Sequence, residues 1–326
     1  RELNFIKLKK VLVTGGAGFI GSNLCDALLA NGLYEVHCLD VFDDFYDPTI
    51  KRNNISEALK NKNFFLLEGD IRDIAFIDKI FQQPFDIIVH LAARAGVRPS
   101  IENPLLYEDV NIKGTVNLLE KAKEKNIKQF VFAGSSSVYG INPNTPWSEN
   151  DFVLKPISPY ASTKVSCELA GHTYSHLYGI RFISLRFFTV FGPRQRPDLA
   201  IHKFFKLIRQ SKPIPFFGNG ETSRDYTFVG DIVNGIIAAM HYDKSNYEII
   251  NLGNNRTINL NMLITAIEKE AGKKAILEKL PDQPGDVPHT FADIAKAKEL
   301  LNYSPATTLE EGLIAFRKWF DQNYSS

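Results

Sequence analysis

The chain has 326 residues, 44% apolar and 23% charged, an ordinary composition for a soluble globular protein of one large domain or two. Lys and Arg exceed Asp and Glu by one (38 against 37), so no charge excess marks the chain for nucleic acid or an anionic membrane. The three cysteines (Cys25, Cys38, Cys167) are too few and scattered for a disulfide framework and suit a reducing cytoplasm, and no run of about 18 apolar residues offers a membrane span.

Lys7, Lys9 and Lys10 precede an apolar run, as in an export signal, but Gly15, Gly16 and Gly18 break that run and Asn23 and Asp26 soon follow. A buried strand and turn is the better reading. Runs rich in β-formers follow at 10–14, 35–41, 63–68, 86–91, 129–135 and 182–188, with helical patterns at 18–31, 73–81, 104–125 and 159–178. The strand runs are apolar throughout rather than alternating, which suits a parallel sheet covered on both faces. Strand–helix alternation then predicts an α/β fold with a doubly wound sheet. Beyond Gly192, Pro193, Pro197, Pro213 and Pro215 interrupt the pattern, and helices are expected at 259–270, 293–301 and 309–323. The division expected is 1–191 for a Rossmann domain carrying cofactor and catalytic residues, and 192–326 for a smaller mixed α/β substrate domain.

The glycine run Thr14–Gly21 follows the first strand and opens a helix. Gly15 permits the tight turn, Gly18 admits a pyrophosphate close to backbone, and Gly21 lets helix pack on strand, with Phe19 and Ile20 offering helix N-terminal amides. Asp40 ends the second strand about 20 residues later, placed to accept from ribose hydroxyls and to repel a 2′-phosphate, so NAD is expected over NADP. Asp43, Asp44 and Asp47 lack calcium-loop spacing and read as a solvated loop near that ribose. Asp70 and Ile71 are expected beside the adenine, and Leu91, Ala92 and Ala93 beneath the cofactor.

Tyr160 and Lys164 share a helix face. Positive charge from Lys164 and an oxidised nicotinamide favours the phenolate, which converts a poor base into a usable one. Ser135 ends the fifth strand, where open α/β sheets place ligands, and can bind the reacting oxygen. Glu168, His172 and His176 recur every four residues as a metal face would, but ordinary helix packing is the favoured reading and no metal is expected. The many aromatics read as core, because basic residues do not interleave with them.

These motifs resemble the extended short-chain dehydrogenase/reductases acting on nucleotide sugars, over nearly the whole chain: TGGAGFIG (14–21), GDIRD (69–73), HLAA (90–93), SSSVYG (135–140), SPYASTK (158–164), LRFFTVFGPRQRPD (185–198) and RDYTFVGD (224–231). Within that family the chain is most similar to UDP-glucuronate 4-epimerases, through DDFYDPTIKRNN (43–54), RAGVRPSIENP (94–104), HTYSHLYG (172–179) and FFTVFGPRQRPD (187–198). The resemblance implies a bound NAD that takes hydride from C4 and returns it to the other face of a 4-keto sugar. It assigns Tyr160 as acid and base, Ser135 to the 4-oxygen, and Lys164 to ribose and the tyrosine's charge. Asn111 and Phe188 go to the cofactor. Arg98, Ser136, Ser137, Thr189, Arg196, Phe217, Arg224 and Asp286 go to the UDP-sugar. Where family members often have an arginine three residues before that aspartate, this chain has Gln283. Dehydratases and decarboxylases of the family usually carry a carboxylate where Ser137 stands, which argues against both. The resemblance further implies a cytoplasmic homodimer, joined through the 104–125 and 159–178 helices and serving polysaccharide biosynthesis. A UDP-glucose or UDP-N-acetylglucosamine 4-epimerase is the alternative activity, and a retired, non-catalytic relative is the competing reading from another class, against which the intact Ser135, Tyr160 and Lys164 speak.

Overall fold

The computed structural model describes residues 7–152, 155–281 and 287–324. Six strands fall where the apolar runs predicted them: β1 (Lys9–Thr14), β2 (Tyr34–Asp40), β3 (Phe64–Glu68), β4 (Ile87–His90), β5 (Gln129–Ser135) and β6 (Arg181–Phe187). A seventh, β7 (Tyr247–Leu252), joins them in the order β7-β6-β5-β4-β1-β2-β3, every pair parallel. The chain reverses direction of growth between β1 and β4, so a crevice opens at the carboxyl ends of these central strands, where such sheets bind ligands.

The helices that matter to the site are α1 (Phe19–Asn31), α2 (Gly114–Glu124), α3 (Pro159–Tyr178), α4 (Ala200–Arg209), α5 (Val229–Met240), α6 (Leu260–Ala271) and α7 (Leu309–Asn323). Ser158 caps α3 by accepting from the Ala161 amide, Pro159 occupies its first turn, and left-handed Gly179 ends it. The helix expected over 104–125 divides into Pro104–Tyr107, a π-helical stretch Glu108–Lys113, and α2.

Two apolar clusters lie on the two faces of the sheet. Leu24, Val36, Val131, Leu185, Ile236 and Leu252 belong to one, Leu12, Ile88, Phe130, Leu118 and Phe182 to the other. A third cluster, built from α4, α6 and α7 around Phe205, Ile267 and Phe316, makes the smaller unit. The boundary expected at 191/192 is crossed, since α5 and β7 return from the later part of the chain to the large sheet. The proline-rich texture after Gly192 hid both elements.

Candidate active site

One cavity of about 950 Å³ runs along the carboxyl ends of the strands and under the smaller unit. Its floor begins with the glycine loop. Gly15 sits at φ +66°, and a Cβ there would stand 2.8 Å from the Ala92 nitrogen. A Cβ on Gly21 would stand 2.1 Å from the Gly15 carbonyl oxygen, so Gly21 packs on the loop itself rather than on a strand, correcting the expectation. The first turn of α1 carries no acidic residue and no side-chain cap, leaving its amides and the positive end of the helix dipole toward the cavity. Gly15, Gly18, Phe19, Ile20 and Gly21 all line it.

Asp40 also lines the cavity and is buried. Its carboxylate accepts from the amides of Ala17 (3.1 Å) and Phe42 (3.0 Å) and from Lys51 Nζ (3.4 Å), which leaves acceptor capacity for a ribose hydroxyl. Asp43 is not simply solvated: it accepts from Lys51 Nζ (3.1 Å) and Arg94 Nη1 (2.5 Å), while Asp47 caps the helix Pro48–Asn54. Asp70 is clamped by the backbone and guanidinium of Arg72, whose hydrogen bonds outweigh burial and hold its carboxyl below the usual range. Ile71, Leu91, Ala92, Ala93 and Phe188 line the wall.

Asn111 does not line the cavity. Its amide is spent inside the protein, on both backbone groups of Arg94 (2.7 and 3.1 Å) and on Thr163 Oγ1 (3.0 Å). It therefore braces the loop after β4 against α3, behind the cavity lining. A buried chain of hydrogen bonds reaches it from β1. The Ala92 amide donates to Thr14 Oγ1, the Thr14 hydroxyl to His90 Nδ1 (2.6 Å), His90 Nε2–H to Thr115 Oγ1 (2.9 Å), and the Thr115 hydroxyl to the Asn111 carbonyl (2.6 Å). Burial, aided by the charge of Lys164, pulls the His90 pKa down to about 3, so the ring is neutral and the chain has one direction.

Ser135, Tyr160 and Lys164 meet in this cavity. Ser135 Oγ pairs with Ser137 Oγ at 2.8 Å and accepts from the Ser137 amide at 3.2 Å, so Ser137 orients the Ser135 hydroxyl. Buried Lys164 donates to the Ala133 carbonyl (2.7 Å) and lies 5.7 Å from the centre of the Tyr160 ring. Ser100 Oγ accepts from the Tyr160 amide, and Tyr107 meets the Tyr160 ring edge-on. Ser136, Thr189, Arg196, Arg224 and Arg98, the residues expected to meet the UDP-sugar, also line the wall. Phe217 is not part of the lining, but its ring lies 5.9 Å from the Arg98 guanidinium. Asp286 and Gln283 lie outside the described residues.

Arg196 holds a partner already: Nε and Nη2 donate to the two Asp198 oxygens at 3.0 and 2.7 Å. That takes two of the five guanidinium N–H donors. Lys51, Phe45, Tyr46, Arg94 and Gln195 also line the cavity. Sequence reasoning missed them, although Lys51, Phe45 and Tyr46 stand in the motif at 43–54, Arg94 opens the one at 94–104 and Gln195 lies in the one at 185–198. The metal face dissolves: both Glu168 oxygens pair with Arg186 (3.0 and 2.8 Å), and His172 packs against the edge of Tyr247. Among the described residues no cluster of three or more His, Cys, Asp or Glu could hold a metal ion, and no helix is long and apolar enough to cross a membrane.

A family profile described as GDP-mannose 4,6 dehydratase matches residues 12–315. The chain belongs to that family. It is 44% identical over 314 residues to a UDP-glucuronate 4-epimerase of Thermodesulfobacterium geofontis, covering 96% of each chain. The crystal structure of a Bacillus cereus UDP-glucuronic acid 4-epimerase, in complex with UDP-glucuronic acid and NAD, matches with a TM-score of 0.90 at 39% identity, over 97% of this chain and 100% of that one. A Thermotoga maritima UDP-glucose 4-epimerase with UDP-glucose matches with a TM-score of 0.87 at 33% identity, over 96% and 99%.

Proposed function

We propose that this chain is an NAD-dependent epimerase that inverts C4 of UDP-glucuronate to give UDP-galacturonate. The observation that carries this reading is that the glycine loop, the Ser135–Tyr160–Lys164 group and the Arg196 guanidinium line one continuous cavity. NAD fits the residues present, with its pyrophosphate at the α1 amides and its adenosine ribose at Asp40, where a 2′-phosphate would meet a carboxylate. When bound, the oxidised nicotinamide supplies a reversible two-electron acceptor beside C4.

The chain's own residues then do the following. Tyr160 takes the proton of the 4-hydroxyl and later returns it, Ser135 donates to the same oxygen, and Lys164 sets charge beside the phenol. Arg224 binds the diphosphate and Thr189 the sugar. Arg196 holds the substrate carboxylate with N–H donors that Asp198 leaves over. A 4-keto glucuronate is a β-keto acid, so a carboxylate held off the perpendicular to the carbonyl plane is protected from loss as carbon dioxide. Ser137, being no acid, offers nothing to eliminate a 6-hydroxyl, which favours epimerisation over the dehydration in the family's description.

Incubation with UDP-glucuronate, UDP-glucose and UDP-N-acetylglucosamine, reading epimers and carbon dioxide separately, tests the reading. UDP-galacturonate is expected as the main product, from protein whose extracted cofactor is NAD. Release of carbon dioxide without epimer, or turnover of UDP-glucose alone, overturns it. The reading includes a cytoplasmic homodimer acting in polysaccharide biosynthesis. Exposed Leu105, Leu169 and Leu177 on the 104–107 helix and α3 offer the apolar face, and a monomeric mass in solution removes the dimer.

A further inference from the structure

The turn at 43–47 brings Asp43, Asp44, Phe45 and Tyr46 to the cavity wall. Asp43 anchors it through Lys51 and Arg94, and Lys51 also reaches Asp40. Phe45 is half-buried on the cavity wall. Two guanidinium groups lie over its ring, Arg94 at 5.2 Å and Arg196 at 5.4 Å from the centre. The Asp198 pair fixes Arg196 along one edge only, and the Asp198 side chain is itself 45% exposed. A planar ion tied along one edge can still tilt about that edge; an aromatic face against it removes the tilt and attracts the charge.

We propose that Phe45 is a positioning residue that sets the plane of the Arg196 guanidinium, and through it the preference for a carboxylate-bearing sugar and the retention of its carbon dioxide. The inference rests on the reading of Arg196 as the carboxylate's ligand. The side reaction it restrains is self-contained. The C5–C6 bond of the 4-keto acid breaks, carbon dioxide leaves, the electron pair passes into the C4 carbonyl, and C5 then takes a proton. A tilted Arg196 no longer holds the carboxylate in place, and the C5–C6 bond can then turn toward the perpendicular to the C4 carbonyl plane, where cleavage is fastest.

The test uses NAD-loaded Phe45→Leu and Phe45→Tyr, with dissociation constants for UDP-glucuronate and UDP-glucose by calorimetry and carbon dioxide counted per epimer formed. Phe45→Leu is expected to weaken UDP-glucuronate about three- to tenfold more than UDP-glucose, the scale of one lost cation–π contact, and to raise carbon dioxide per epimer. Phe45→Tyr keeps the ring and is expected within about twofold of wild type on both readouts. Equal weakening of both ligands, or a Tyr variant as impaired as Leu, overturns the proposal, because packing alone would then explain the residue. Phe45→Met carries the same expectation as Leu should that variant fail to fold. Arg196→Ala in the same assays separates the two levels. If it discriminates between the ligands and Phe45→Leu does not, only the Phe45 proposal falls; if it does not discriminate, the carboxylate reading falls and takes the proposal with it.

Discussion

In the proposed mechanism the Tyr160 hydroxyl carries the proton, while its ring packs against Tyr107 and lies near the Lys164 ammonium. Tyr160→Phe should therefore lower turnover by about 10²–10⁴-fold, the usual contribution of a general acid–base, and leave NAD bound. Single-turnover rates on protein of measured NAD content check this, and near wild-type epimerisation would remove Tyr160 from the chemistry. Arg196 makes a sharper case, because a guanidinium matters most to the substrate with a carboxylate. Arg196→Ala should cost on the order of 2–5 kcal/mol in kcat/KM with UDP-glucuronate, the scale for losing one partner of a buried charge pair, and far less with UDP-glucose. Equal losses on the two substrates would show that Arg196 serves the phosphates or the loop instead.

At the scale of elements, a single buried carboxylate ties three segments together. Asp225 accepts from the amides of Asn254 (2.7 Å), Asn255 (3.1 Å) and Ala292 (3.1 Å) and from the Thr227 hydroxyl (3.1 Å). Its own carbonyl accepts from the Thr189 amide, so the tie reaches the strand that presents Thr189. Removing the side chain takes the acceptor from three amides, that of Ala292 buried and those of Asn254 and Asn255 part-buried. Asp225→Ala should destabilise by about 3–5 kcal/mol, at 1–3 kcal/mol for each unsatisfied donor with partial relaxation. Denaturant titration reads this directly, and a loss below 1 kcal/mol would mean that water replaces the carboxylate.

At the scale of the whole molecule, two of the buried titrations have opposite sign. His90, depressed from 6.5 to about 3 by burial and then by Lys164, stabilises the fold above pH 6.5, and that stability is lost as pH falls toward 3. Asp225, raised from 3.8 to about 6 by burial, does the reverse: its stabilisation is full below 3.8 and is lost as pH rises through 6. Between pH 7 and 4.5 the two effects oppose each other, so variants expose what wild type conceals. His90→Gln keeps a donor for Thr115 but has no proton to gain. It should lose less stability than wild type over that interval, by on the order of 2 kcal/mol. Parallel pH profiles for the two proteins would place His90 outside this linkage.

Much of this protein is legible without coordinates, for a physical reason. A parallel strand covered on both faces must be apolar throughout, so 129–135 announces itself, and a 20-residue helix with Ser158 before Pro159 and Gly179 after Tyr178 carries both of its boundaries in its own caps. The glycine loop is equally local, since Gly15 must adopt a conformation that other residues resist. Tertiary structure alone decided what depends on residues distant in sequence. The seventh strand is recruited from beyond the proline-rich stretch to the edge beside β6, where a sheet already built gives it a partner. Asn111 turned inward because the π-helical stretch points it at Arg94 and Thr163, and spacing along a helix assumed to be regular does not reveal that turn. Glu168 met Arg186 instead of a metal, and Arg94 and Arg196, 102 positions apart, came to lie over one phenylalanine. Local order is written in the chain's own periodicities and caps, whereas the partner of a charge is set by which strands lie side by side.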